Sequence, residues 1–326
     1  MANPNDLEAS PKPLISIIMA VYNPNMEWLQ KQLNSIEQQD YPNLELHVID
    51  DCSEEISFGK IKACIEETVA FIPHSIERNS ENFGSNRTFE KLVGKAVGEY
   101  IAFCDQDDVW IADKLTCLMR YMSDEKVQIA CSDVIVIDEK GEKCADSLTD
   151  VRKRHKFYTG EGLFRRILFR NFVIGCTTLM RTSFVQESVP FPDNIVHDHW
   201  LALIASVQGE IALSDHPLVF YRIHDTNQTN IMANIITKQD YIDHSINLYY
   251  NRLEEIQGRI PKSDIFTQTQ VWARARKMYA EGEMGVVRDI WKYRNFNIST
   301  SLFELIMMHM PDKIFTLAVK VIKNRL

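Results

Sequence analysis

An α/β fold with a largely parallel sheet is predicted by three features of the chain. The run LISIIMAVY (Leu14–Tyr22) is continuously apolar and rich in β-branched residues, as a strand covered on both faces would be. Further strand-like runs, LELHVID (Leu44–Asp50) and EYIAFC (Glu99–Cys104), alternate with segments of helical periodicity. Polar or acidic residues follow each run, at the strand ends where open α/β sheets bind ligands.

The elements follow in order. After the turn Asn23-Pro24-Asn25, MEWLQKQLNSIEQQ carries Trp28, Leu29, Leu33 and Ile36 at helical spacing until Tyr41-Pro42-Asn43 breaks it. A helix around Ile61–Thr68 and a third strand near Val69–Ile76 come next. The polar loop ERNSENFGSN then leads into the helix TFEKLVGKAV. In the second half, VQIACSDVIVID (Val127–Asp138) and VIGCTTLMR (Val173–Arg181) read as strands and HDHWLALIASV as a helix; IALSDHPLVFYRIH closes the core. From about Ile235 only helices are expected. The division is a leader over 1–13, an α/β domain over 14–232 and a helical region over 233–326.

Composition sets limits. With 326 residues, 45% hydrophobic and 25% charged, the chain is of ordinary globular type and long enough for a large core. A net charge of -9 argues against nucleic-acid binding by bulk charge. Seven cysteines without a CxxC pair suit a reducing compartment. The start, MANPNDLEASPKP, is polar and Pro-rich, unlike a signal peptide, and no run of about 18 apolar residues occurs. A cytoplasmic location is therefore expected.

Chemistry concentrates at three strand ends. The first turn, AVYNPN, has no glycine, so it lacks the fingerprint that brings backbone up to a dinucleotide's phosphates. The stretch FCDQDDVW puts Asp105, Asp107 and Asp108 within four residues. Like charges so placed repel, and burial of any one raises its pKa. A cation is expected there, and hard Mg²⁺ or Mn²⁺ takes one or two carboxylates plus substrate phosphates. A solvated turn capping the helix before IADKL is the plainer account of the same residues.

The ordered set SIIMAVYN, VIDDCS, NFGSN and GEYIAFCDQDDVW followed by KL, then HDHWLALIAS and LVFYRIHDTNQT, resembles family 2 glycosyltransferases over roughly Leu14–Asn230. The likeness is to inverting, nucleotide-sugar-dependent enzymes, especially the rhamnosyltransferase-like bacterial polysaccharide branch. It implies a GT-A fold, a Rossmann-like, mixed but mostly parallel sheet, here with a C-terminal helical extension. It implies a divalent metal, Mn²⁺ or Mg²⁺, and a UDP-hexose or dTDP-deoxyhexose donor such as dTDP-rhamnose. The acceptor would be a growing, lipid-linked surface polysaccharide or lipopolysaccharide.

Carried over residue by residue, the resemblance puts Asp51 on the nucleobase and Tyr22 against its ring, with Asp50 either beside them or capping the next helix. Ala20 stands where some relatives place a hydroxyl on the nucleotide. Gly84 would let backbone pass close to the donor, with Asn82 and Asn86 either touching it or serving the turn. Asp105 would reach ribose or metal, Gln106 would lie at the donor, Asp107 would be the main metal ligand, and Asp108 would cap the following helix. Asp198 matches the base that takes the acceptor proton. His197, His199 and Arg222 would meet acceptor or phosphate, and His224 the metal; each could instead be structural.

Two surfaces remain. The basic island Arg152–Arg170 could face an anionic acceptor or only solvent. The last helix, DKIFTLAVKVIKNRL, sets Ile314, Leu317 and Val321 beside Lys313 and Lys320, a pattern suited to a membrane surface, a second subunit in a homodimer or its own domain. Two rival functions use the same residues. A metal-dependent phosphohydrolase or nucleotidyltransferase would gather Asp105, Asp107, Asp198 and the histidines around metal. A sugar-nucleotide binding module would need no base.

Overall fold

The computed structural model describes residues 12–224 and 235–323. The expected boundary at 232/233, nearly all of the leader and the last three residues lie outside them. A seven-stranded sheet forms the centre, in the order β10-β6-β9-β4-β1-β2-β3. Its strands are β1 (Ile15–Val21), β2 (Leu44–Asp50), β3 (His74–Arg78), β4 (Tyr100–Cys104), β6 (Val127–Cys131), β9 (Leu179–Arg181) and β10 (Glu210–Leu213). Among the described residues every pairing is parallel except those of β9, which lies antiparallel between β4 and β6. A smaller sheet, β5-β11-β7-β8, is built from β5 (Val109–Trp110), β7 (Val134–Ile137), β8 (Lys143–Ala145) and β11 (Val219–Arg222).

The apolar run of β1 is explained by its two covered faces. Ile15, Ile17, Met19 and Val21 point into one core, while Ile18 points into the other. The first core includes residues of α1 (Met26–Glu37), α2 (Phe58–Thr68) and α4 (Lys114–Tyr121). The second includes residues of α3 (Gly84–Val93), α6 (Phe164–Phe169), α7 (Thr182–Glu187) and α8 (His197–Gln208). The short α5 (Leu148–Val151) follows β8.

Three expectations are corrected. VQIACSDVIVID is not one strand: Ser132 and Asp133 separate β6 from β7, which lie in different sheets. Asp133 makes the break, its carboxylate accepting the N–H groups of Val134 and Leu148 and the Ser147 hydroxyl. In VIGCTTLMR, Gly175–Thr177 form a 3₁₀ turn and only Leu179–Arg181 are strand. The third strand begins at His74, beyond the half-turn that follows α2.

The helical region comprises α9 (Lys238–Tyr241), a π-turn over Ile242–Asn247, α10 (Leu248–Ile256), α11 (Asp264–Ala280), α12 (Val287–Lys292), α13 (Ile298–Met307) and α14 (Asp312–Lys323). It is not a loose appendage. Leu253, Ile256, Phe266 and Ala273 pack into the second core. A third cluster, with Tyr279, Ile290 and Phe315, forms beyond it. There Arg276 and Glu304 are fully buried and doubly hydrogen-bonded at 2.8 and 2.6 Å, and the Tyr241 hydroxyl donates to the same carboxylate.

Candidate active site

The carboxyl ends of β1, β2 and β4 lie side by side, and each carries part of the site. At β1, Tyr22 is exposed while Ala20 packs against the second core. Gln106 clamps Tyr22 to the acidic turn: its side chain accepts the Tyr22 N–H at 2.9 Å and donates to the Tyr22 carbonyl at 3.0 Å.

At β2 the two aspartates differ. Asp50 is buried, accepts from the Ser53 N–H and hydroxyl, and pairs with Arg78 at 3.2 Å, so it orders the turn. Asp51 accepts at one oxygen from Asn79 and the Phe83 N–H and at the other from the Gly84 N–H. Of the four lone-pair positions on a carboxylate, one is left for a ligand. Gly84 starts α3 at φ +79, which L side chains resist, and also donates to the Asn82 side chain.

Asn86 is committed elsewhere. Its side chain donates to the Pro192 and Ile195 carbonyls at 3.0 and 2.7 Å and accepts the His197 N–H at 2.9 Å. This corrects its expected donor contact: the amide is used to hold the start of α8.

The acidic turn after β4 is not a solvated cap. Asp108 is buried, accepts the Arg222 N–H at 3.0 Å and leaves its second oxygen without a partner. α4 begins later, after Asp113. The Asp105 and Asp108 oxygens and the Cys176 sulfur lie within 4.8 Å of one another. Burial, then the neighbouring carboxylates, pushes the Asp105 pKa up to about 7 and that of Asp108 well above the usual range. Asp107 faces outward and its carboxylate meets His224 Nε2 at 2.7 Å.

Lys114, whose role the sequence reading did not find, supplies part of the missing positive charge. It is fully buried, donates to the Cys176 carbonyl at 2.6 Å and lies 3.2 Å from the centre of the Trp110 ring. Burial drives its pKa down to about 7, so near neutrality it offsets the carboxylates only in part. Burial, then the charges of Asp108 and Asp105, pushes the Cys176 thiol pKa well up, so the sulfur stays protonated. That leaves an oxygen-rich turn with an orphaned carboxylate oxygen, a donor set that fits hard Mg²⁺ or Mn²⁺.

Asp198 sits in the first turn of α8, near enough to Asp105 to raise its pKa. Asn171 donates to one of its oxygens at 3.2 Å and the Gly175 N–H to the other at 3.3 Å. Protein packed around the carboxyl pushes its pKa up to about 6, against those hydrogen bonds. A Cβ at Gly175 would sit 3.2 Å from His197 Nε2, a tight contact that one of the two would have to give way to. Neither Asn171 nor Gly175 stood out in the sequence, where Gly175 lay within an expected strand and Asn171 just before it.

The flanking histidines are corrected. His197 packs among Phe89, Phe103 and Phe191, and burial lowers its pKa to about 3. His199 bonds the Ile167 carbonyl at 2.7 Å and is lowered to about 4. Both are neutral core residues, so they neither balance a phosphate nor complete the metal cluster that a phosphohydrolase would need. Arg222 is also corrected: 1% exposed, it donates to the Asp107, Asp138 and Glu139 carbonyls and stacks on Trp28. It holds the acidic turn from behind.

Residues 16–188 match the model of Glycosyl transferase family 2. The chain belongs to this family. It is similar to TuaG of Bacillus subtilis, 27% identical over 52% of this chain and 62% of that one, whose name provisionally assigns it to teichuronic acid biosynthesis. The Escherichia coli UDP-Glc:alpha-D-GlcNAc-diphosphoundecaprenol beta-1,3-glucosyltransferase WfgD is 27% identical over 59% of this chain and 70% of its own. The dTDP-rhamnosyl transferase RfbG of Shigella flexneri is 25% identical over 68% and 76%. Among solved structures, S. aureus TarS in complex with UDP matches with a TM-score of 0.54 at 17% identity, covering 81% of this chain and 70% of that one. The mannosyltransferase PcManGT of Pyrobaculum calidifontis, in complex with GDP-Man and Mn²⁺, matches at 0.56 and 15%, covering 96% and 87%. These likenesses give the GT-A fold.

Proposed function

We propose that this family 2 chain transfers a sugar, with inversion, from a nucleotide-diphosphate donor to a hydroxyl of a lipid-linked surface polysaccharide precursor. The observation that carries the reading is the placement of two separate acidic groups on one sheet edge. One is the Asp105–Asp107 turn; the other is Asp198, desolvated to a pKa of about 6. A base near this value is ionised at neutral pH and still basic enough to take a hydroxyl proton as the bond to the anomeric carbon forms.

In this reading Tyr22 packs on the nucleobase, Asp51 accepts its imide N–H, and Ala20, Gly84 and Gln106 line the donor's path. Asp105 and Asp107, with His224 behind Asp107, hold Mn²⁺ or Mg²⁺. When bound, that ion supplies Lewis-acid stabilisation of charge on the leaving diphosphate. Asn171, Gly175 and Asn86 hold Asp198 in place. The names of WfgD and RfbG favour a UDP-hexose or a dTDP-deoxyhexose donor and, for WfgD, an acceptor on a lipid diphosphate.

No helix among the described residues is long and apolar enough to cross a membrane. The proposed site of action is the cytoplasmic face of the cell membrane, with α14 lying on it. Ile314, Leu317 and Val321 are exposed there, beside Lys313 and Lys320.

Thermal unfolding with a panel of UDP- and dTDP-sugars, with and without Mn²⁺, tests the reading. One donor should raise the melting temperature only with metal. Equal shifts for every nucleotide, or none, would reject it.

A further inference from the structure

The segment Arg152–Arg170 holds seven Lys and Arg residues and a single carboxylate, Glu161, in a chain of net charge -9. Elsewhere three arginines form ion pairs, Arg78 with Asp50, Arg87 with Asp193 and Arg276 with Glu304. In this segment, among the described residues, none of Lys153, Arg154, Lys156, Arg165, Arg166 or Arg170 comes within ion-pair distance of a carboxylate. Six cations gathered without an ion-pair partner repel one another, and the chain gains nothing from them in isolation.

Nor is the segment loose. Phe157 packs against both cores, the Tyr158 ring meets Phe172 edge-on at 5.5 Å, and the Arg166 guanidinium lies 4.4 Å from the Tyr158 ring centre. Arg170 Nη1 donates to the Arg154 carbonyl at 3.1 Å, drawing the two ends together. Gly160 bridges to Ile211 of β10. Arg170 lies beside Arg154, and desolvation together with that neighbouring charge lowers its pKa.

Position then gives this charge a use. β6 runs parallel to β4, through antiparallel β9, so its end at Cys131 lies on the same sheet edge as the acidic turn. Asp133, just past that end, is close enough to His155 to act on its charge, and Arg170 directly precedes the Asn171 that holds Asp198. The cationic segment therefore borders the β9–β6–β10 side of the site. Tyr22 and Asp51 lie on the β1–β2 side.

We propose that the cationic segment, through Arg154, Lys156 and Arg170, binds the phosphates of a glycosyl-diphosphate acceptor whose hydroxyl lies at Asp198. The inference rests on the glycosyltransferase reading above and adds an acceptor site on the side away from the donor nucleotide. Guanidinium and ammonium groups donate charge-assisted hydrogen bonds to phosphate oxygens, and a diphosphate offers enough of them to satisfy several donors.

The test is calorimetric binding of geranyl diphosphate to the full chain in EDTA, so that the acidic turn holds no metal. The wild type should bind it, and Arg154→Ala/Lys156→Ala, a change at two exposed positions, should weaken binding about tenfold or more. Arg154→Lys should recover part of the loss, and geraniol should not bind. UDP with Mn²⁺, titrated into EDTA-free samples of the same proteins, should bind wild type and variant alike. Failure of UDP to bind even the wild type would count against the functional reading; failure of geranyl diphosphate alone overturns the acceptor site. Binding unchanged in the double variant overturns it as well. So does a variant that loses phosphatidylglycerol vesicles while keeping geranyl diphosphate, because the segment then reads a bilayer surface.

Discussion

The Asn86 side chain accepts the backbone N–H of His197 at 2.9 Å, joining α3, which starts on the nucleotide side, to the first turn of α8, which carries Asp198. Its amide nitrogen fixes the preceding loop through two carbonyls. Asn86→Ala removes three hydrogen bonds of about 1 kcal/mol each and leaves acceptors unpaired. A stability loss of about 2–4 kcal/mol is expected in denaturant titrations. Turnover should fall about tenfold or more while UDP affinity changes little, because the misplaced group is Asp198, the base on the proposed reading. An Asn86 variant with normal turnover and weakened UDP binding would return this residue to the donor site.

Asp198→Asn should lower turnover by about 10²–10⁴ and leave donor binding intact. In the wild type kcat/KM should fall as pH drops below about 6, where the carboxyl takes up a proton. Stability carries the opposite sign. Burial raises the native pKa above its ordinary 3.8, so the native state keeps a proton that the unfolded chain gives up. That contribution is present at low pH and is lost as pH rises through 6. Melting curves should therefore show Asp198→Asn gaining on the wild type between about pH 4 and 7. A constant gap across that range would mean the carboxyl is not desolvated.

At the acidic turn, Asp107→Asn should abolish the Mn²⁺-dependent thermal shift given by UDP, and His224→Ala should reduce it. Ligand at about 100 times Kd stabilises by about 2.7 kcal/mol, so a shift of that origin is measurable. Asp50→Asn should leave the shift in place at a lower starting melting temperature, since Asp50 only orders its turn.

Far from the site, Arg276→Ala would strand the buried Glu304 carboxylate and cost about 3–5 kcal/mol. Limited proteolysis should then cut the helical region first. Arg276→Met/Glu304→Leu should restore much of the loss, because a buried pair replaced as a unit leaves no orphaned charge.

The alternation of strands and helices was readable because β1 and β4 are covered on both faces and almost wholly apolar, while β2 alternates between buried Leu44, Leu46 and Val48 and half-buried Glu45 and His47. The positions of three candidate-site features were readable too: Tyr22 just after β1, the acidic turn after β4, and Asp198 at a helix start. What could not be read was partnership. Asp50 and Asp51 are neighbours with the same side chain, yet Ser53 and Arg78 claim one while the Asn79–Gly84 loop arranges itself on the other. Lys114 lies six residues past Asp108 and returns beneath it only because β5 and the following turn reverse the chain. The resemblance put Arg222 at acceptor or phosphate, with a structural role as the alternative, and its burial against three carbonyls depends on how the small sheet packs.

The paired hydrogen bonds between Gln106 and the backbone of Tyr22 work like a fixed caliper. The jaw that grips a base and the jaw that grips phosphate cannot spread or close independently, so on the proposed reading the gap between them measures the donor's linker. A sugar carried on a single phosphate would span too little of that gap to touch both jaws, whatever its base.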